Sequence, residues 1–367
     1  MNILIAPNSM KGSLNAFDFA DIVEKALMDY SSKFNLRKVP VADGGDLTGE
    51  IIAKALNAER IKIDVKNPVG KKITSQYFIS GKTAIIEMAD ASGMKLIEKT
   101  ELNPQKTSSF GTGELINDAI KKGCNEILLT IGGSATVDGG MGMMEALGFS
   151  FLDKTGIELQ ANGNNLGKVV EIVATKKIPE ISIKIICDVN NPLLGEQGSA
   201  AVFGPQKGAT PDMVIQLENG LKNWADILLK KTGKKITEIE GTGAAGGISM
   251  PLLSFFNAAI VPGADFVLSL LNFDEHVKWA DVVITGEGKL DAQTLNNKAP
   301  FAVSKWAKKE NKPVFAIGGS VEKEASAAFD GVFSIMNEFM SIEFAMKNAT
   351  RLLYDFTFKF AEELYKY

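Results

Sequence analysis

Apolar residues follow two spacings along this chain, and the spacing changes twice. Residues 2–6, apolar throughout after Asn2, predict a short buried strand. Phe19, Ile22, Val23, Ala26, Leu27 and Tyr30 then recur at helical spacing, with Asn15 as N-cap and Asp18 in the first turn. Residues 36–41 predict a second strand and 48–56 a second helix, so the first two strands are expected to be parallel. Between 61 and 88 the pattern becomes three short strand-like runs, 61–65, 73–79 and 83–88, separated by turn residues. That is the signature of an antiparallel meander. A helix over 113–122 leads into a strand over 127–130. Further strands are predicted over 149–153, 181–187, 200–203 and 235–239, and helices over 211–230 and 251–259. After Pro262-Gly263 strand and helix alternate again. Helices are expected over 264–279, 298–309 and 322–329, with strands over 281–285, 314–317 and 332–335. Ser341 caps a long final helix with Ala345, Ala349, Leu352, Leu353, Phe356 and Phe360 on one face.

Two strands at one end and three at the other, each joined through helices, predict an α/β chain built on a five-stranded parallel, flavodoxin-like sheet. A second, mixed α/β domain is inserted into it. The 367 residues exceed what one core usually holds. The expected division is 1–60 with 260–367 for the flavodoxin-like domain and 61–259 for the insert, with an active site in the cleft between them.

Composition narrows the function classes. A net charge of −4 and the lack of a basic stripe with interleaved aromatics argue against nucleic acid as a partner. No apolar run reaches membrane-spanning length, so no membrane partner is expected. Cys124 and Cys187 have neither disulfide nor metal-ligand spacing, which favours a reducing, cytoplasmic setting. The single histidine, His276, falls in a helical stretch and reads as a surface or edge residue, so Ser–His and Cys–His catalysis are not expected.

In a doubly wound sheet ligands bind beyond the carboxyl ends of the strands, at the switch point. The loops there carry Asn8, Ser9, Lys11 and Ser13, then Asp43, Gly44 and Gly45, then Glu287, Lys289 and Asp291. Small residues, lysines and carboxylates together suit phosphate with a divalent cation. The insert adds similar loops: Thr112 beside Gly111 and Gly113, the Gly132 to Gly140 loop, Asp188 after a strand, and Lys207 at a turn. Gly241-Thr242-Gly243-Ala244-Ala245-Gly246 fits the dinucleotide fingerprint, but a clean βαβ unit and an acidic partner are missing. It reads as an anion-facing helix start, and a nicotinamide-dependent oxidoreductase ranks last.

Taken in order, these loops resemble the bacterial glycerate kinases that phosphorylate D-glycerate with ATP. The resemblance runs nearly end to end. It rests on Ala6-Pro7-Asn8-Ser9-Met10-Lys11-Gly12-Ser13, Ala42-Asp43-Gly44-Gly45, Phe110-Gly111-Thr112-Gly113-Glu114 and Gly132 to Gly140. Cys187-Asp188-Val189, Phe203-Gly204-Pro205-Gln206-Lys207-Gly208 and Thr285-Gly286-Glu287-Gly288-Lys289 with Asp291, Gln293 and Thr294 continue it. The pattern departs from the family at four places. Asn8 stands for Asp, Asp46-Leu47 for Glu-Gly, Val137 for Asn, and Asn297 for Gly.

The resemblance implies ATP and Mg²⁺ as cofactors and transfer of the γ-phosphoryl to D-glycerate, giving 2-phosphoglycerate or 3-phosphoglycerate and ADP. Within that expectation Asp188 is the first choice for general base and Asp43 the second, with Lys11, Ser9 and Ser13 on anionic groups. Glu287 and Asp291 are the Mg²⁺ candidates, with Lys289 on phosphate. Gly44, Gly45, Gly132, Gly133, Ser134, Thr136 and Thr112 are expected to offer donors, and Lys207 a further charge. The alternatives are a kinase of another small hydroxy acid and a non-catalytic binder of nucleotides or phosphometabolites. Either a monomer or a homodimer fits.

Overall fold

The computed structural model describes all residues except Asp46, Gln293, Asn296, Asn297 and Tyr367. In chain order the strands are β1 (Asn2–Ile5), β2 (Asn35–Lys38), β3 (Glu59–Lys66), β4 (Lys72–Ser80), β5 (Thr83–Glu87), β6 (Glu126–Thr130) and β7 (Phe149–Leu152). They continue with β8 (Glu171–Ala174), β9 (Ser182–Ile186), β10 (Asn257–Val261), β11 (Val282–Leu290), β12 (Val314–Val321) and β13 (Gly331–Ser334). The chain divides into two compact units, Met1–Asp43 with Pro262–Tyr367, and Gly44–Val261.

The first unit holds a five-stranded sheet in the order β13-β12-β11-β1-β2. Every pair is parallel. This is the flavodoxin-like order expected from the alternation of strands and helices. β1 shows why its sequence lacks polar alternation. Ile3 and Ile5 join the core on one face with Phe19, Val23, Leu353 and Phe360, while Leu4 and Ala6 join the other with Leu268, Val277 and Val303. A strand covered on both faces has no solvated side to mark with polar residues. Helix Ala16–Tyr30 starts as expected, with the Asn15 side chain accepting from the Asp18 N–H at 2.8 Å.

Three helices of this unit differ from expectation. The stretch 264–279 is two helices, Gly263–Leu270 and Phe273–Trp279, parted by Asn272 in a left-handed conformation (φ 50°). Residues 322–329 hold only a short 3-10 helix, Lys323–Ala328. Ser341 does cap a helix, but that helix, Ile342–Lys347, ends at Asn348 before Ala349–Leu364 begins. The Asn348 side-chain amide donates to the Phe344 carbonyl at 2.8 Å, which also accepts from the Asn348 backbone N–H at 3.1 Å, and so fixes the end of this helix.

The second unit is built on a six-stranded sheet in the order β10-β9-β6-β5-β4-β3. β3, β4 and β5 form the expected antiparallel meander, and β5, β6, β9 and β10 run parallel. β7 and β8 pair separately. Residues 200–203, expected as a strand, lie in the short helix Ser199–Phe203. Residues 235–239 are irregular. The helix expected to reach Ala259 stops at Phe255, because Phe256 turns extended (φ −116°, ψ 170°) and leads into β10. Helix Thr48–Ala55, expected in the flavodoxin-like part, falls in this unit, where the Glu87 carboxylate at the end of β5 accepts from the Leu47 and Gly49 N–H groups. Leu47 takes a left-handed backbone (φ 64°), the conformation for which a glycine is suited. Its neighbour Asp46 lies outside the described residues.

Candidate active site

In the first unit a cavity of about 360 Å³ opens beside the carboxyl ends of β1 and β11. Asn8, Ser9, Lys11, Ser13, Asp43, Glu287 and Lys289 all line it. The first five come from the loops after β1 and β2, whereas Glu287 and Lys289, expected in a loop after a strand ending at 285, lie within β11, which runs on to Leu290. Strand pairing brings them together. β1 lies beside β11 with Ile5 opposite Ile284 and ends first, so the loop after β1 runs along the last residues of β11, and the Asn8 N–H donates to the Gly286 carbonyl at 2.8 Å.

Asn8 is buried, and its amide donates to an Asp43 carboxylate oxygen at 3.3 Å while its own carbonyl accepts from the Ser9 N–H. Where the related pattern has Asp, this chain therefore places a donor against Asp43. Lys11 is exposed on the cavity lining. Lys289 is held by Asp291 at 3.2 Å and Glu322 at 2.7 Å. Asp291 itself is buried and is not among the lining residues.

Glu287 is the most perturbed carboxyl of this group. Burial pushes its pKa up to about 7. Lys298 and a hydrogen bond from the Thr294 hydroxyl (2.7 Å) pull it down, and Asp43 and Asp291 add to the rise. Hard carboxylate oxygens that repel one another suit a divalent cation such as Mg²⁺. Among the described residues no group of three His, Cys, Asp or Glu side chains could cage one. The donor set therefore fits an ion that takes its remaining ligands from phosphates and water.

The buried Glu287 makes a checkable prediction. A carboxyl raised from 4.5 to about 7 on folding costs no stability below pH 4.5. The cost grows between 4.5 and 7 and is full above. Glu287→Gln is therefore expected to stabilise the metal-free protein at pH 8 by ~2–3 kcal/mol, with no gain at pH 4. Urea titrations at the two pH values measure this, and an equal effect at both would contradict the assignment.

Residues absent from the sequence-level site also line this cavity. Lys298 precedes helix Ala299–Lys309, where Pro300 marks the helix start. Gly319 and Ser320 end β12 with the same glycine-and-hydroxyl pattern as the other loops, a signal the sequence carried. Ile335, Met336, Ile342, Ala345, Met346 and Ala349 complete it, and nothing distinguished them in sequence from core residues.

The second unit gathers the remaining candidates differently. Gly44, Gly132 and the end of β9 are stacked so closely that side chains are excluded. A Cβ on Gly132 would lie 2.7 Å from the Gly44 carbonyl oxygen, and one on Gly44 2.9 Å from that of Ile186. Asp188, half-buried, follows directly after this stack, and Gly45 and Gly133 belong to the same loops. Gly133 is the exposed member. The other donors point inward. Asp138 is fully buried and accepts from the Ser109 N–H and hydroxyl, both at 2.7 Å, and from the N–H groups of Gly140 and Gly142. The start of helix Met141–Ala146 is thus served by the chain's own carboxylate. Burial raises the Asp138 pKa, and these hydrogen bonds oppose the rise.

Lys207 is buried too, donating to the Ser134 hydroxyl at 2.8 Å and the Thr136 carbonyl at 2.7 Å. Burial lowers its pKa to about 7, against the pull of Asp138. Thr112 is buried and shares a hydrogen bond with Ser92. Val137 is a core residue. The fingerprint-like glycines serve packing. A Cβ on Gly246 would meet the Thr136 carbonyl oxygen at 2.2 Å, and no strand leads into them. His276 lies half-buried on helix Phe273–Trp279 and is not among the residues that line the cavity.

Comparison with known proteins bears on what these loops serve. The profile of the Glycerate kinase family matches residues 3–364. The chain is 42% identical over 360 residues to a glycerate kinase of Halalkalibacterium halodurans, covering 96% of this chain and 95% of that one. It is 38% identical to a glycerate 2-kinase of Escherichia coli K12, covering 95% and 94%. The crystal structure of a chain assigned as glycerate kinase 2 from Salmonella typhimurium LT2 superposes with a TM-score of 0.85 at 37% identity, over 100% of this chain and 98% of that one. Motif order, fold and similarity along the whole length agree, and the chain belongs to the glycerate kinase family.

Proposed function

We infer that this chain is an ATP-dependent glycerate kinase. The observation that carries the reading is the first-unit cavity, where Lys11, Lys298, Asp43 and Glu287 converge at strand ends. Phosphoryl transfer asks a protein mainly for positioning and charge neutralisation. Lys11 and Lys298 offset the charge of the transferring group, and the Ser9 hydroxyl donates to its oxygens, while that of Ser13 donates to the Met10 carbonyl at 3.1 Å and shapes the loop. Glu287, with the phosphates, would hold Mg²⁺, which when bound neutralises phosphate charge. Asp43 takes the proton of the glycerate hydroxyl as its oxygen bonds to the γ-phosphorus. The bond from that phosphorus to the β,γ-bridging oxygen breaks, and ADP leaves. Asp43 is preferred to Asp188 as base because it lines the same cavity as the lysines. In the second unit the exposed Gly133 is the part of its loop open to a ligand.

The hydroxyl phosphorylated is proposed to be that on C2, a reading supported by the 38% identical glycerate 2-kinase of Escherichia coli. A cytoplasmic setting accords with two buried cysteines that are outside any disulfide. Among the described residues no helix is long and apolar enough to cross a membrane. Incubation with D-glycerate, ATP and Mg²⁺, followed by phosphorus NMR, is expected to yield 2-phosphoglycerate and ADP. Exclusive 3-phosphoglycerate would overturn the C2 assignment. No turnover of glycerate alongside turnover of another hydroxy acid would overturn the substrate, and nucleotide binding without any turnover would favour a sensor.

A further inference from the structure

The first-unit cavity is lined by two chemically different groups of residues. One is the lysines and carboxylates just described. The other, all from residues 335–349, is hydrocarbon: Ile335, Met336, Ile342, Ala345, Met346 and Ala349. Glycerate is a three-carbon acid with a carboxylate and two hydroxyls. It has no apolar face for six such side chains to cover, and burying its polar groups against them would cost free energy. A volume of about 360 Å³ also belongs to sites for larger ligands. The other reactant has the matching sequence of parts, a polyanion at one end and a flat, weakly polar base at the other. We propose that the apolar lining seats the adenine base of the nucleotide, with Ile342 and Met346 closing over it and the phosphates running toward Lys11 and Lys298. The proposal rests on ATP being the phosphoryl donor.

Two further observations support the assignment. Ile342 and Met346 stand four residues apart on helix Ile342–Lys347 and so share one face. Yet they are 69% and 41% exposed, although both line the cavity. Apolar side chains at the mouth of a cavity are placed to be covered by a ligand rather than by the fold. Second, Gly12, with φ 81°, leaves room for the Met346 methyl, which a Cβ there would meet at 2.6 Å. The apolar lining therefore rests directly on the loop that carries Lys11. Phe339 and Phe344 are also exposed on this segment but do not line the cavity.

The test is the double variant Ile342→Ala/Met346→Ala in the full chain. The KM for ATP is expected to rise about tenfold, with kcat and the KM for glycerate within about threefold. Inhibition by inorganic tripolyphosphate, which has no base, is expected to stay as in the parent. A rise in the glycerate KM alone, equal weakening of tripolyphosphate, or unchanged ATP kinetics would each overturn the proposal. A second measurement needs neither variant nor turnover. Photolabelling of the parent with 2-azido-ADP is expected to mark the segment 335–349, and label confined to other segments would overturn it. Label on 335–349 in a protein that does not phosphorylate glycerate would keep the base site and remove the reaction.

Discussion

Asp43→Asn is expected to lower kcat by about 10²–10⁴-fold while the affinity for ATP changes only a few-fold. The substitution is isosteric, and the side-chain carbonyl it leaves can still accept from the Asn8 amide that now donates to Asp43 at 3.3 Å. What it removes is the ability to take a proton. The cavity lining keeps its lysines and Glu287, so binding of the polyanion is left largely intact. Pre-steady-state mixing with glycerate and ATP separates the chemical step from product release. The companion variant Asp188→Asn decides between the two aspartates. If Asp188→Asn abolishes turnover and Asp43→Asn stays within a few-fold of the parent, the proton acceptor is Asp188.

The second large effect concerns stability. Asp138→Ala is expected to destabilise the protein by about 3–5 kcal/mol. The carboxylate satisfies two backbone N–H groups of the helix start, together with the N–H and hydroxyl of Ser109. All of these are buried, so alanine leaves them without an acceptor and without access to water. It also removes the negative charge that favours the ammonium of buried Lys207. Asp138→Asn should cost less, because one oxygen still accepts while the amide N–H groups face donors. Urea unfolding followed by circular dichroism measures both. A loss below about 1 kcal/mol for Asp138→Ala would show that these donors find other partners.

The sequence made the first unit legible because its inner strands β1, β11 and β12 are largely buried runs and helix Ala16–Tyr30 keeps a clear period. Strand order followed from counting strand–helix repeats, and the Asn15 and Ser341 caps from side-chain chemistry. What failed were short apolar runs without a period. Residues 200–203 suit either element, and Gly198 and Gly204 around them do not choose. β10 was hidden because Ala258 and Ala259 extend a helical pattern, and as an edge strand it carries no strong alternation. At the site, lysines and carboxylates announced themselves by position after strands. Lys207, Thr136 and Asp138 looked the same in sequence, yet all three are buried, with Lys207 on the Ser134 hydroxyl and the Thr136 backbone carbonyl and Asp138 on Ser109 and its own loop. Residue type and spacing do not reveal which way a side chain on a glycine-rich loop points. The hydrocarbon lining of the cavity was invisible for the opposite reason, since its residues read as ordinary core.

The five-stranded sheet also sets a schedule for the chain as it is made. β1 lies between β2 and β11, and Ile3 pairs with Val282, which follows the whole inserted unit in the chain. At ~5–20 residues per second, β11 leaves the ribosome on the order of ten to fifty seconds after β1. Through that interval Ile3, Leu4 and Ile5, all fully buried in the finished fold, have no partner on that edge. The inserted unit, Gly44–Val261, emerges complete in the meantime and can fold first. A nascent chain halted near residue 265 is therefore a folded body with a sticky, unpaired β1–β2 arm, the species that chaperones would be expected to meet during synthesis.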